Sequence, residues 1–225
     1  VAKEVQESFS HEILLATVDG KLQELHKKVK EGTSVEFLTA ADKPGIQTYR
    51  RSVLLILLKA FYEVIGAEHI QKLSVEYAIA NGLFIESAGS FEKTQELIDR
   101  IKAKMREYVA AEIPIMKRNV TTDEAIEIFR HHRMYEKERL FRYRRVSRVN
   151  LYSIGGFEDY YYGYMVQNTG YLKYFDLILY RDGMMLLLPE QKNPEQVAEF
   201  HDREKLFEVL DETESWGRQL EVPTV

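Results

Sequence analysis

The apolar positions of this chain change period several times, and each change marks an expected element. The opening AKEVQESF has the mixed spacing of a short helix. ILLATVDGKLQEL follows, with apolar flanks around Asp19-Gly20, a dipeptide that favours a tight hairpin because both central residues accept positive φ. SVEFLTA supplies another strand and ADKPG reads as a turn. From Thr48 to Ile65, TYRRSVLLILLKAFYEVI is apolar on nearly every side and ends at Gly66, which predicts a buried helix with a glycine stop.

Strand-like alternation returns in LSVEYAIANGLFIES, around an expected Asn81-Gly82 turn. In SFEKTQELIDRIKAKMREYVAAE the apolar residues Ile98, Ile101, Met105, Tyr108 and Val109 form one stripe, so a surface helix is expected there, with Ser90 as its cap. Thr121 and Glu124 have the spacing of a capping box, which starts a short helix in VTTDEAIEIFRHH. From Arg139 to Pro189 the alternation between glycine-containing turns predicts several antiparallel strands. Asn193 and Pro194 then stand as cap and first-turn residue of a final helix, NPEQVAEFHDREKLFEVL. The expected fold class is α+β: a small unit over residues 1–43, then a larger antiparallel sheet packed with helices over 48–225.

Composition narrows the chemistry. Hydrophobic residues make up 45% of the 225, enough for a packed core. The formal charge of −5 gives no overall basic field, though it permits a local one. There is no cysteine, which excludes disulfides, thiolate metal sites and cysteine nucleophiles. No two of the six histidines stand four apart on one helix face, and His131 and His132 are adjacent, so they read as surface residues. Neither G-x-x-x-x-G-K-[ST] nor G-x-G-x-x-G occurs, so no P-loop can be built from these residues. VLLILL, Val53 to Leu58, is far short of the roughly 20 apolar residues that span a bilayer. A charged start without methionine suggests a trimmed or processed part of a longer protein, and the expected compartment is the cytoplasm.

Two clusters stand out. Arg139, Arg142, Arg144, Arg145 and Arg148 interleave with Phe141 and Tyr143, a pattern that can follow a phosphate backbone while rings stack on bases; the plainer reading is a solvated strand whose arginines pair with acids. FEDYYYGYMVQNTG, Phe157 to Gly170, places four tyrosines around Asp159 and Gly163 and closes on Asn-Thr-Gly. Taken alone, those rings read as one face of a packed sheet.

Set together, the segments resemble the amino-terminal half of threonyl-tRNA synthetase. ATVDGKLQELHKKVKEGTSVEFLTAADKPG looks like the latter part of a TGS module, a β-grasp fold. From about Thr48 the chain looks like the second additional domain, which edits mischarged tRNA. RRSVLLILLKAF falls on that family's H-S-x-x-H-L-L helix, AIANGLFIE on its N-G-F-Y-Y turn, and FEDYYYGYMVQNTG on its F-x-D-x-C-x-G-P-H-x-x-x-T-G. EIPIMKRNVTTDEAIEIF falls on a similar strand and capped helix.

The departures matter as much as the matches. The family's two histidines fall on Arg51 and Leu55, and its cysteine and second-motif histidine fall on Tyr161 and Met165. Arginine has no lone pair to offer and leucine no donor atom, while a phenol and a thioether are weak ligands. The resemblance therefore implies a degenerate zinc site, with no metal and no catalytic residue. Arg51, Asp159, Tyr161 and Met165 are then the candidate ligand-binding pocket, with Arg51 either anchoring an anion or pairing with Asp159.

A group of uridine kinase-like proteins resembles the pattern more closely, since they join TGS and editing-like modules to a P-loop kinase domain. On that resemblance the chain is a non-catalytic regulatory or binding region. It would take a nucleotide or RNA ligand, a kinase domain in cis carrying ATP and Mg, and a possible homo-oligomeric partner, and no membrane. The alternative is an editing-type domain acting on mischarged threonine tRNA. That enzyme would work without metal, through water placed by Asp159 or a substrate hydroxyl. A third expectation is a purely structural or oligomerisation role.

Overall fold

A computed structural model describes residues 1–201 and Val209, and the architecture is α+β with antiparallel sheets packed on helices. α1 (Ala2–Val5) precedes three strands, β1 (Ile13–Val18), β2 (Lys21–Glu24) and β3 (Val35–Thr39), which form a sheet in the order β2-β1-β3. The β1–β2 hairpin turns at Asp19 and Gly20, with φ of 48° and 75° as that dipeptide allows.

α2 (Lys43–Ile65) is the central helix, and 13 of its 23 residues are buried. It starts earlier than the apolar run suggests. Asp42 is its N-cap residue and Lys43-Pro44 fall in the first turn, where proline's missing N–H is no loss, so ADKPG opens the helix rather than forming a separate turn. Gly66, at φ 89°, ends it.

β4 (Ile70–Ile79) and β5 (Gly82–Gly89) pair as a hairpin and extend into a four-stranded sheet, β4-β5-β10-β9, with β9 (Asp176–Tyr180) and β10 (Gly183–Leu187). The hairpin turns one residue earlier than expected, at Ala80-Asn81, with Ala80 at φ 51°. Gly82 serves packing instead of the turn: a Cβ there would lie 2.6 Å from the Met185 sulfur.

α3 (Gln95–Ala110) buries the expected stripe but is capped by Thr94, whose hydroxyl accepts the Leu97 N–H at 3.2 Å. Ser90 instead donates its backbone N–H to His69. β6 (Met116–Thr121) leads into α4 (Thr122–His131), and Thr121 caps it by accepting the Glu124 N–H at 3.1 Å. The Glu124 side chain turns to Arg118 rather than back to the cap, so only half of a capping box forms.

α5 (Tyr135–Arg142) occupies part of the stretch expected to be strand, and its Phe141 ring packs against Phe129 of α4 at 4.8 Å and against Tyr160 at 5.1 Å, so the apolar positions serve a helix wedged between a helix and a strand. β7 (Arg148–Ile154) and β8 (Phe157–Tyr160) complete a third sheet, β6-β7-β8. Beyond Tyr160 the tyrosine-rich segment leaves the sheet. The expected final helix does not begin at Asn193, which bridges to Glu190 while residues 196–201 are irregular; most of its remainder lies outside the described residues.

Among the described residues a main buried cluster runs through most of the molecule, and a smaller one, Ile79, Phe84, Tyr180, Met185 and Leu187, is built on the four-stranded sheet. Leu14 of β1 and Ala40 belong to the same buried cluster as α2, α3 and the third sheet, so the amino-terminal sheet shares its apolar interior with the larger part. No described helix is long and apolar enough to cross a membrane.

Candidate functional site

The segment after β8 lies against α2, and the four expected pocket residues divide between two neighbourhoods. On the inner side, the Arg51 guanidinium donates to the Tyr164 carbonyl at 2.6 Å and presses against Gly163. Gly163 has φ 123°, and a Cβ there would come within 2.7 Å of the guanidinium carbon, so only glycine fits. Burial pulls the Arg51 pKa below its usual value. Met165 is buried beside Ser52, whose hydroxyl donates to the Thr48 carbonyl at 2.8 Å, accepts the Val166 N–H at 3.0 Å and sits 3.3 Å from the Met165 sulfur. Leu55 is fully buried in the core.

The same neighbourhood holds a residue that sequence patterns did not single out. Glu24, the last residue of β2, is 3% exposed and reaches into the larger unit. It accepts the Tyr152 hydroxyl at 2.6 Å and the Met165 N–H at 3.2 Å, and pairs with Lys117 at 3.3 Å. Tyr152 also lies 2.6 Å from the Gly163 carbonyl. Burial and then the Glu24 carboxylate push the Tyr152 pKa up, so the phenol stays protonated. The one available signal was a glutamate between Gln23 and Leu25 at the end of a short, mostly polar strand, which alone cannot be told from a surface charge.

On the outer side stands Asp159, 0% exposed. It does not pair with Arg51 as one reading expected. Lys137 of α5 reaches it at 2.5 Å, and its other oxygen accepts the Tyr160 N–H at 2.7 Å. The substitution of partner follows from geometry, since Arg51 is already held by Tyr164. Tyr161 stands close to Asp159. Its hydroxyl is buried and makes no hydrogen bond of ordinary geometry, and burial, then the Asp159 charge, raise its pKa well above the usual value. Burial first, then Asp159 and Glu136, push Tyr62 up to about 12.

Tyr161 and Lys137 line a cavity of about 300 Å³ between α2, β4 and α5. Leu54, Leu58, Tyr62 and Leu73 supply its apolar wall, and Arg133, Glu136 and Gln71 its polar edge. Of the four expected residues only Tyr161 lines it; Arg51 and Met165 are packed away and Asp159 acts through Lys137.

A metal does not suit this donor set. The four positions are filled by a guanidinium, a buried aliphatic chain, an unpaired phenol and a thioether facing a serine. Among the described residues no three His, Cys, Asp or Glu side chains gather into a metal-holding group. The closing Asn-Thr-Gly is structural: Asn168 accepts the Gly170 N–H at 2.9 Å, and the buried Thr169 hydroxyl accepts the Ile113 N–H at 2.8 Å and donates to the Tyr108 carbonyl.

This chain is similar to threonine–tRNA ligases. It is 27% identical over 179 residues to that of Desulforamulus reducens, 28% over 184 residues to that of Carboxydothermus hydrogenoformans and 29% over 179 residues to that of Clostridium kluyveri. Each alignment covers 79% of this chain and 28% of the ligase, so the chain spans little more than a quarter of the length of these relatives. No protein-family model matches.

Proposed function

We propose that this chain is an editing-type module of the threonine–tRNA ligase kind that holds the aminoacylated end of a tRNA in the cavity beside Asp159 without metal-assisted hydrolysis. The similarity to the ligases supports the tRNA side of this reading, and its share of their length, 28%, is consistent with a TGS-plus-editing region; the bounds proposed for the two parts are residues 1–43 and 48–225. The observation that carries it is the cavity itself: an apolar chamber with Lys137 fixed by a buried carboxylate at its wall and an unpaired phenol beside it. Such a chamber binds a planar base through its apolar wall and an ester or hydroxyl through few polar groups. It offers no imidazole on the expected motifs to serve as a base near neutral pH.

Mischarged threonine tRNA tests this directly. Binding that Lys137→Ala weakens about tenfold, with deacylation at background, is the expected outcome. Hydrolysis above background that Asp159→Asn abolishes would replace the reading with a metal-free editing enzyme. The uridine kinase-like parent, with ATP and Mg in a P-loop domain joined in cis, is a separate proposal, as is a cytoplasmic setting. Neither draws support from the ligase similarity. A G-x-x-x-x-G-K-[ST] after Val225 in the full reading frame tests the parent.

A further inference from the structure

Between Arg130 and Arg148 the chain carries eight arginines and lysines against two glutamates, a net +6 in a protein whose total is −5. The structure sorts these cations. Arg142 pairs with Glu138, Arg148 bonds Asn119, and Arg144 lies over the rings of Tyr160 and Phe141. Phe141 itself is buried in the contact with α4, so it is not a stacking platform. Arg133, Arg139 and Arg145 are exposed, and among the described residues their side chains have no hydrogen-bond or ion-pair partner. Tyr143, 82% exposed, and Tyr135, 57% exposed, stand among them.

We infer that the outer face of α5 and the turn after it is a track for single-stranded RNA, with Arg139 and Arg145 on phosphates and Tyr143 stacked on a base. Charge complementarity selects a polyanion, and the exposed phenols favour one in which every charged unit carries a stackable ring, as in RNA and not along an acidic peptide run. The track passes the cavity mouth, where Arg133, Tyr135 and Leu140 are lining residues, so a strand on it would lead its end into the chamber. This placement rests on the reading of that chamber as the aminoacyl-end site, but the cation and tyrosine surface can be tested without it.

The test uses the full chain and a fluorescent, unstructured RNA of roughly 12 nucleotides with no aminoacyl group, followed by anisotropy between about 50 and 200 mM salt. Binding should weaken steeply with salt. Arg139→Ala with Arg145→Ala should lower the log–log salt slope by about 1.4, or about 0.7 per lost phosphate contact. Tyr143→Ala should weaken binding about tenfold at fixed salt and leave the slope unchanged. All three side chains are exposed, so circular dichroism should show the fold intact. RNA affinity indifferent to these substitutions overturns the inference. So does an acidic peptide such as polyglutamate that binds as tightly as RNA and ignores Tyr143→Ala, which would make the face a protein-docking surface. RNA held by the track while Lys137→Ala leaves charged tRNA binding unchanged would remove the chamber reading and keep this one.

Discussion

At the scale of single residues, Glu24 and Tyr161 make opposite predictions. Glu24 satisfies a phenol, a backbone N–H and an ammonium in a buried place. Glu24→Ala strands the Met165 N–H and the Lys117 ammonium and leaves Tyr152 only the Gly163 carbonyl, and the expected loss is roughly 3 kcal/mol in urea unfolding, since breaking a buried pair leaves the partner charge uncompensated. Tyr161 carries a buried hydroxyl with no partner, so removing it takes away a desolvation cost rather than a bond. Tyr161→Phe should leave the melting temperature unchanged or raise it by a few degrees. A drop comparable to that of Glu24→Ala would show that the hydroxyl is satisfied after all. What sequence could show here was uneven. That positions 51, 55, 161 and 165 carry no good metal donor was plain from residue chemistry, but the pairing of Asp159 with Lys137 was not. That pairing depends on α5 running beside β8, and the segment's alternation pointed to strand.

At the scale of elements, α2 and α3 are joined by a polar bridge across an apolar interface. Lys59 of α2 pairs with Glu63 one turn on, and Tyr108 of α3 donates to the same carboxylate. Desolvation raises the Glu63 pKa, but the hydrogen bonds from Lys59 and Tyr108 outweigh it and hold the carboxyl below its usual value. A depressed folded pKa contributes stability that is present above the unfolded value, about 4.3, and is lost as pH falls through the folded one. Glu63→Gln should therefore lower stability near neutrality and flatten the acid limb, the two proteins converging as pH falls below the folded value, as followed by thermal melts across pH. Thr121→Ala should cost about 1 kcal/mol by removing the α4 cap. Long apolar patterns gave these helices readily, because burial on one or all sides leaves a period in the residues. Helix starts were less visible. Asp42 with Lys43-Pro44 and Thr94 are locally as good as the turn and cap expected in their place, and contacts made elsewhere decide between them.

At the scale of the whole molecule, the boundary expected between residues 43 and 48 falls inside the first turns of α2, and Leu14 and Ala40 pack into the main core. Glu24 adds a polar tie across the same border. The described protein should then unfold in one step. Calorimetry is expected to give a single transition whose van't Hoff and calorimetric enthalpies agree, and an early transition confined to the amino-terminal sheet by hydrogen exchange would contradict it. This coupling could not be read from the chain, since a change from strand-like to helix-like spacing after position 43 looks the same whether two units share a core or merely follow one another.

Gly163 bears on anyone who would redesign this pocket. Its backbone conformation and the Arg51 guanidinium fill each other's space, and the Tyr164 carbonyl holds the arrangement shut. Installing histidine at 51 would free that carbonyl and open a void beneath the glycine, while cysteine at 161 would still face away toward the α5 side of the loop. Any route to a metal site here is therefore a concerted one, in which single ligand grafts each lower stability before any of them gains an ion to hold.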